Sequence, residues 1–111
     1  MASRGSFQVE VDHSKDEQHS NKVTTIKCHG RLVSENAGEM KELVKPLIPL
    51  GGRIVIDLGD LNFLDSTGLG ALVGLKASAI KQGMCMMELV NMTPRVLELV
   101  RITGLTQLFS S

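Results

Sequence analysis

The chain has 111 residues, and its 12 Lys and Arg balance 12 Asp and Glu, so the formal net charge is zero. That balance excludes the broad basic surface that nucleic acid or an anionic membrane would need in a main partner, and with no Trp, no Tyr and three Phe there is little to stack bases on. The length fits one domain over residues 1–111 that folds without a metal or a disulfide, and Cys28 and Cys85, with no secretory signal before them, read as reduced thiols of a cytoplasmic protein.

"FQVEV" (7–11) sets Phe7, Val9 and Val11 against Gln8 and Glu10, the alternation of a half-buried strand. "DHSKDEQHSN" (12–21) is polar and charged and reads as a solvated loop. "KVTTIKCHGRL" (22–32), rich in β-branched residues, is a second strand that makes a hairpin with the first. Ser34 can cap a helix that carries Glu35 and Glu39 at the positive end of its dipole. Ala37, Met40, Val44 and Leu47 mark its apolar stripe, and Pro46 and Pro49 end or kink it. Gly51-Gly52 turns the chain into "RIVIDL" (53–58), apolar on most of both sides and so read as central and covered.

A second helix runs from near Ser66 to about Gln82, with Gly83 placed to end it. "MCMMELV" (84–90) reads as the next buried strand. Thr93-Pro94, a cap followed by proline at the first helical position, starts a last helix. Leu97 and Val100 line that helix and Gly104 stops it; the tail "LTQLFSS" offers Leu105, Leu108 and Phe109 as anchors. The order β-β-α-β-α-β-α predicts an α/β fold. A small mixed sheet begins with the hairpin and continues with parallel strands through right-handed crossovers, and helices pack on it. No apolar run reaches the roughly 20 residues of a membrane span.

The stretch with chemistry in it is "LNFLDSTGLGALVG" (61–74), where a strand gives way to the second helix. Ser and Asp are preferred caps, so either Asp65 or Ser66 can serve as one. Three features point past capping. Gly68, Gly70 and Gly74 fall in the helix, where each costs about 1 kcal/mol relative to Ala. On a helical projection Ser66, Gly70, Gly74, Ala77 and Lys81 share one side, nearly bare of side chains. Leu69, Leu72, Val73, Leu75, Ala79 and Ile80 spread over the other, with Lys76 inside the apolar arc. A bare side packs tightly on the domain's own sheet or lets another protein approach. Finally, a phosphoryl group on Ser66 would meet exposed N–H groups and the positive end of the dipole.

"IVIDLGDLNFLDSTGLGALVGL" followed by "NMTPRVLELVRITGLTQLF" resembles the STAS domain, and within it the bacterial anti-sigma factor antagonists. The resemblance runs from about Phe7 to Phe109, and its most specific part is the D-S-[ST]-G-L-G signature. It implies a non-enzymatic binding module without a cofactor, whose partner is an anti-sigma factor of the serine-kinase type. That partner phosphorylates the Ser directly after the motif's Asp, here Ser66, with Thr67 as the alternate. The unphosphorylated form binds the anti-sigma factor and frees the sigma factor; the phosphorylated form lets go. Asp65, Ser66, Thr67, Gly68, Gly70 and Gly74 would form the contact, and other STAS proteins are further possible partners. "GRLVSEN" places Val33 where relatives often carry an acidic residue, with Glu35 two positions on. The chain ends soon after Phe109, so a final helix found in many relatives is expected to be missing or very short.

Other readings fit less well. A scaffold or oligomer-forming module would leave Ser66 only a cap. "GLGALVG", with Glu88 about 20 residues beyond, approaches the dinucleotide fingerprint, but Gly59 to Thr67 separate Leu58 from the first glycine. A nucleophile elbow needs a glycine where Leu64 stands. Cys28 and His29, adjacent on a strand, point to opposite faces. His13 and His19 fall in a polar loop, and Met84, Met86 and Met87 read as core filler rather than copper ligands. A receiver domain would use Asp57 or Asp60, but it does not begin with a hairpin.

Overall fold

In the computed structural model, which describes residues 7–16, 21–83 and 85–104, the strand that begins at Phe7 carries on past Val11, although the apolar alternation stops there. Strand β1 spans Phe7–Asp16 and pairs antiparallel with β2, Asn21–Leu32, in a register from Phe7↔Gly30 to Asp16↔Asn21. The polar stretch expected as a loop is therefore strand as far as Asp16. β1 lies at the edge of the sheet, where the ladder satisfies the backbone whatever the side chains are, and polar residues are tolerated.

Helix α1, Ala37–Val44, buries Ala37, Met40 and Val44. A 3₁₀ helix over Lys45–Leu50 takes up both prolines and extends the stripe to Ile48. Strand β3 covers Gly52–Leu64, α2 Ser66–Gln82, β4 Cys85–Val90 and α3 Pro94–Ile102. The sheet order is β1-β2-β3-β4, with β2/β3 and β3/β4 parallel, so the expected mixed sheet of hairpin then parallel strands is borne out. Gly83 ends α2 at φ +67°, the left-handed conformation that a glycine adopts without penalty. Thr93 caps α3 by accepting a hydrogen bond from the Val96 N–H at 3.3 Å.

The core forms on one face of the sheet. Ile26, Cys28, Ile54, Ile56, Leu58 and Met87 point into it from the strands, and Met40, Leu69, Leu72, Leu75, Val96 and Val100 meet them from the helices. Each large side chain buried this way contributes roughly 1.5–3 kcal/mol. β3 is central but covered on one side only: Ile54, Ile56 and Leu58 are buried, while Val55 and Asp57 are half-exposed. On the edge strand β4 Met87 is buried but Met86 is 62% exposed, so only one of the two is core filler. Met84 lies outside the described residues, as do His19, Leu105, Leu108 and Phe109. On α3 the buried pair is Val96 and Val100, not Leu97, which is 43% exposed; Val96 and Val100 stand one turn apart and share a face.

β3 also runs further than its apolar centre predicts. Register shifts against β2 between Lys27 and His29, and again between Gly30 and Arg31, absorb the extra residues of β3 and let the strand continue to Leu64. The supposed loop before α2 thus shrinks to one residue, Asp65.

Candidate functional site

β2 and β3 end side by side at the pair Leu32↔Leu64, and the site is built on those two ends. Asp65 has extended backbone (φ −98°, ψ 179°) and is the N-cap of α2. Its Oδ1 accepts a hydrogen bond from the Gly68 N–H at 2.7 Å, and its Oδ2 accepts one from the Ser34 N–H at 3.1 Å. Its own N–H donates to the Leu32 carbonyl at 3.3 Å, and its carbonyl accepts from the Leu69 N–H at 2.9 Å. One side chain therefore starts α2 and ties it to the turn leading into α1. Helix-end N–H groups need such partners, and a carboxylate there also meets the positive end of the dipole.

The choice between Asp65 and Ser66 as cap is thereby settled for Asp65. Ser66 and Thr67 are the first two residues of α2, and both are exposed. Gly68 is buried, and the space for a side chain is taken: a Cβ there would stand 2.2 Å from the Leu32 carbonyl oxygen. Gly70 and Gly74 are exposed, and a Cβ on either would meet nothing within 4 Å. The bare side of α2 thus faces outward. Ser66, Gly70, Gly74, Ala77 and Lys81 are all exposed, as projected, while Gly68 alone packs against the strand end. Ile80, placed with the apolar residues, is 60% exposed, and Lys76 is the one charged side chain of α2 inside the core, its Nζ donating to the Met87 carbonyl at 2.5 Å.

The turn opposite holds a residue that sequence reasoning passed over. Ser34 is not at the cap of α1; Asn36 holds that position, 1% exposed, and its side chain bonds back into the turn rather than to the helix N–H groups. Its Oδ1 accepts from the Val33 N–H at 2.9 Å and its Nδ2 donates to the Arg31 carbonyl at 3.0 Å, so it shapes the turn that presents Ser34 to Asp65. Asn is a residue type favoured in turns, where its side chain bonds nearby backbone, and that was the available signal. Val33 is half-buried in that turn and Glu35 is exposed.

The rival chemistries find little footing. Since β3 reaches Leu64, Gly68 does lie close to a strand end, so the spacing argument against a dinucleotide fingerprint falls. The close packing of Gly68 on Leu32 gives this glycine a structural role, seating α2 on the strand end, that needs no nucleotide to explain it. Cys28 and His29 do point to opposite faces. Burial pushes the Cys28 thiol up to about 12, with the Asp57 carboxylate adding to the rise, so it stays protonated at neutral pH and is neither nucleophile nor ligand. His13 is exposed, its Nδ1 3.3 Å from Thr24 Oγ1. Among the described residues no group of three or more His, Cys, Asp or Glu is placed to hold a metal ion, and no helix is long and apolar enough to cross a membrane.

Comparison with known proteins completes the description of the site. A family model described as the STAS domain matches residues 14–111. The chain is 35% identical over 80 residues to an anti-sigma-B factor antagonist of Bacillus subtilis, covering 72% of each chain. It is 32% identical over 88 residues to an anti-sigma-B factor antagonist of Staphylococcus aureus, covering 78% of this chain and 81% of that one. Among solved structures, an anti-sigma factor antagonist from Mycobacterium paratuberculosis superposes with a TM-score of 0.74 at 20% identity, covering 98% of this chain and 87% of the other. The Bacillus cell fate determinant SpoIIAA in its phosphorylated form does so with a TM-score of 0.68 at 18% identity, covering 93% and 89%. At those identities the two structures show a shared fold.

Proposed function

The chain belongs to the STAS domain family, among its anti-sigma factor antagonists, and on that premise we propose that it is a switch whose setting is the phosphorylation state of Ser66. Unphosphorylated, it binds an anti-sigma factor of the serine-kinase type in the cytoplasm, so that the sigma factor is released. Phosphorylated, it lets go. It carries out no catalysis of its own and takes no cofactor; the kinase chemistry belongs to the partner.

The observation that carries this reading is the division of labour between Asp65 and Ser66. Asp65 makes the capping bonds, so Ser66 Oγ, exposed on the first turn, is not needed to hold the helix. A phosphoryl group there adds about −1.5 to −2 of charge without removing a structural bond, and the N–H groups of the helix end favour it. Gly70 and Gly74 continue the same exposed side, so a partner backbone can approach α2 closely where the new charge appears. Thr67, the next exposed hydroxyl, is the alternate acceptor.

The direct test is phosphorylation by the purified anti-sigma partner with ATP, followed by peptide mapping. The phosphoryl group should be found on Ser66, and Ser66→Ala should abolish labelling while keeping the wild-type melting curve. Undiminished labelling of Ser66→Ala would contradict the assignment.

A further inference from the structure

On the face of the sheet that the helices leave open, His29 of β2 stands between carboxylates from both neighbouring strands. Its Nδ1 lies 2.5 Å from Asp60 Oδ2 on β3, and its Nε2 lies 3.0 Å from Glu10 Oε2 on β1. Nε2 is shut off from solvent and makes no well-aligned hydrogen bond among the described residues, so Glu10 meets it as a charge contact only. An ionised carboxylate only accepts hydrogen bonds, and a neutral imidazole carries one N–H. Both contacts are therefore favourable together only when the ring is doubly protonated.

The place of this triplet in the sheet gives it a consequence. His29 and Asp60 are paired in register between the two shifts of the β2/β3 ladder, one between Lys27 and His29 and one between Gly30 and Arg31. A few residues on, the same two strands end at Leu32 and Leu64, which carry the Asp65–Ser66 turn. Each shift leaves a residue unpaired and disrupts the backbone ladder locally, so a side-chain tie at that point adds a link between the strands where backbone bonds are fewest. We propose that His29 is a proton-dependent strap joining β1, β2 and the far half of β3, and that its protonation tightens the strand ends from which the Ser66 turn departs. This goes beyond the function proposed above and does not depend on it.

The other groups around the ring leave the charge balance negative. Lys27, Asp57 and Asn91 line the same shallow cavity of about 290 Å³ as His29 and Asp60. The Asp57 carboxylate accepts from the Gly59 N–H at 2.9 Å and from Asn91 Nδ2 at 3.1 Å. Lys27 is opposite Glu10 in the β1/β2 register and Gln8 is opposite His29, while the Arg31 guanidinium lies over the Phe63 ring, 5.0 Å from its centroid. Consistent with that setting, the hydrogen bond to Asp60, together with the Glu10 and Asp60 charges, holds the His29 pKa above its ordinary value, against a smaller opposing effect of desolvation. A raised folded-state pKa means stability that is fully present below the unfolded value of about 6.5 and is lost as pH rises through the folded value.

The experiment follows the His29 ring resonance and backbone amide exchange between pH 6 and 8.5, where carboxylates stay ionised, in the wild type, His29→Gln and Asp60→Asn. The wild-type ring should titrate above 6.5 and shift downward in Asp60→Asn. After correction for intrinsic exchange, amides from Phe63 to Leu69 should lose protection at least threefold from pH 6 to 8.5 in the wild type and less than half as much in His29→Gln. The same loss in both proteins, or a wild-type midpoint at or below 6.5, would overturn the proposal. If His29→Gln fails to fold, Asp60→Asn gives the same exchange comparison.

Discussion

At the scale of single residues, the site rests on three neighbours with different tasks: Asp65 caps, Ser66 is presented, and Gly68 makes room. Asp65→Ala removes the bond to the Gly68 N–H and the tie to the Ser34 N–H. It should cost about 1–2 kcal/mol, in the range for loss of a helix cap, read as a lower urea midpoint. Gly68→Ala should be worse, more than about 2 kcal/mol, because the new Cβ meets a backbone carbonyl that cannot turn away. A Gly68→Ala protein as stable as the wild type would mean that α2 is not seated against Leu32. These roles were only partly legible in the sequence. Asp and Ser are both good caps, and which of two adjacent residues takes the cap depends on where the preceding strand ends. That end is set by pairing of Leu64 with Leu32, a contact between segments far apart in the chain. Asn36 was hidden for a similar reason: its two bonds go back to Arg31 and Val33 in a turn that exists only once β2 has stopped.

At the scale of elements, α2, β2 and β4 agree closely with the sequence, while the start of α1 and the far ends of β1 and β3 do not. The expected span of α2, from near Ser66 to about Gln82, agrees with the structure because its apolar arc and its terminal glycine point to the same limits, although its cap was open between Asp65 and Ser66. Strand β3 was cut short at Leu58, since Gly59, Asp60 and Asn62 interrupt the apolar pattern; the two register shifts against β2 that carry the strand across them have no local signature. Leu97 shares a helical spacing with Val100, yet the buried pair of α3 is Val96 and Val100. Helical spacing gives a set of faces but does not say which one a sheet will cover. The bare side of α2 leads to a sharper prediction. Gly70→Ala fills open space in a helix interior and should stabilise the fold by up to about 1 kcal/mol, seen as a raised urea midpoint. If a partner backbone packs on that side, the same substitution should weaken partner binding several-fold. A variant that is more stable and binds unchanged would move the contact elsewhere.

At the scale of the whole molecule, the fold is a sheet covered on one face, with the Ser66 turn at the ends of the central strands. The order of elements, the hairpin and the parallel crossovers were all readable, because length and alternation leave few right-handed, unknotted arrangements for so short a chain. The open face of the sheet is not evident from the sequence, since "RIVIDL" is apolar on most of both sides although only Ile54, Ile56 and Leu58 are buried. Exposed Leu50, Ile80 and Met86 keep a self-associating scaffold as the rival to a switch. In that reading light-scattering mass would show a stable homo-assembly that ignores Ser66→Glu. The switch account predicts no such Ser66-independent assembly as the form that meets the partner.

The central claim is that the state of Ser66 decides the partner contact, and a paired affinity capture from the source organism's lysate, with Ser66→Ala and Ser66→Glu as baits, tests it most directly. The account predicts that an ATP-binding protein of kinase fold is held by the Ala bait and lost from the Glu bait, both baits having the same melting temperature within a few degrees. Equal capture of that partner by the two baits would contradict it, and Ser66 would then be no more than an exposed residue on the first turn of α2.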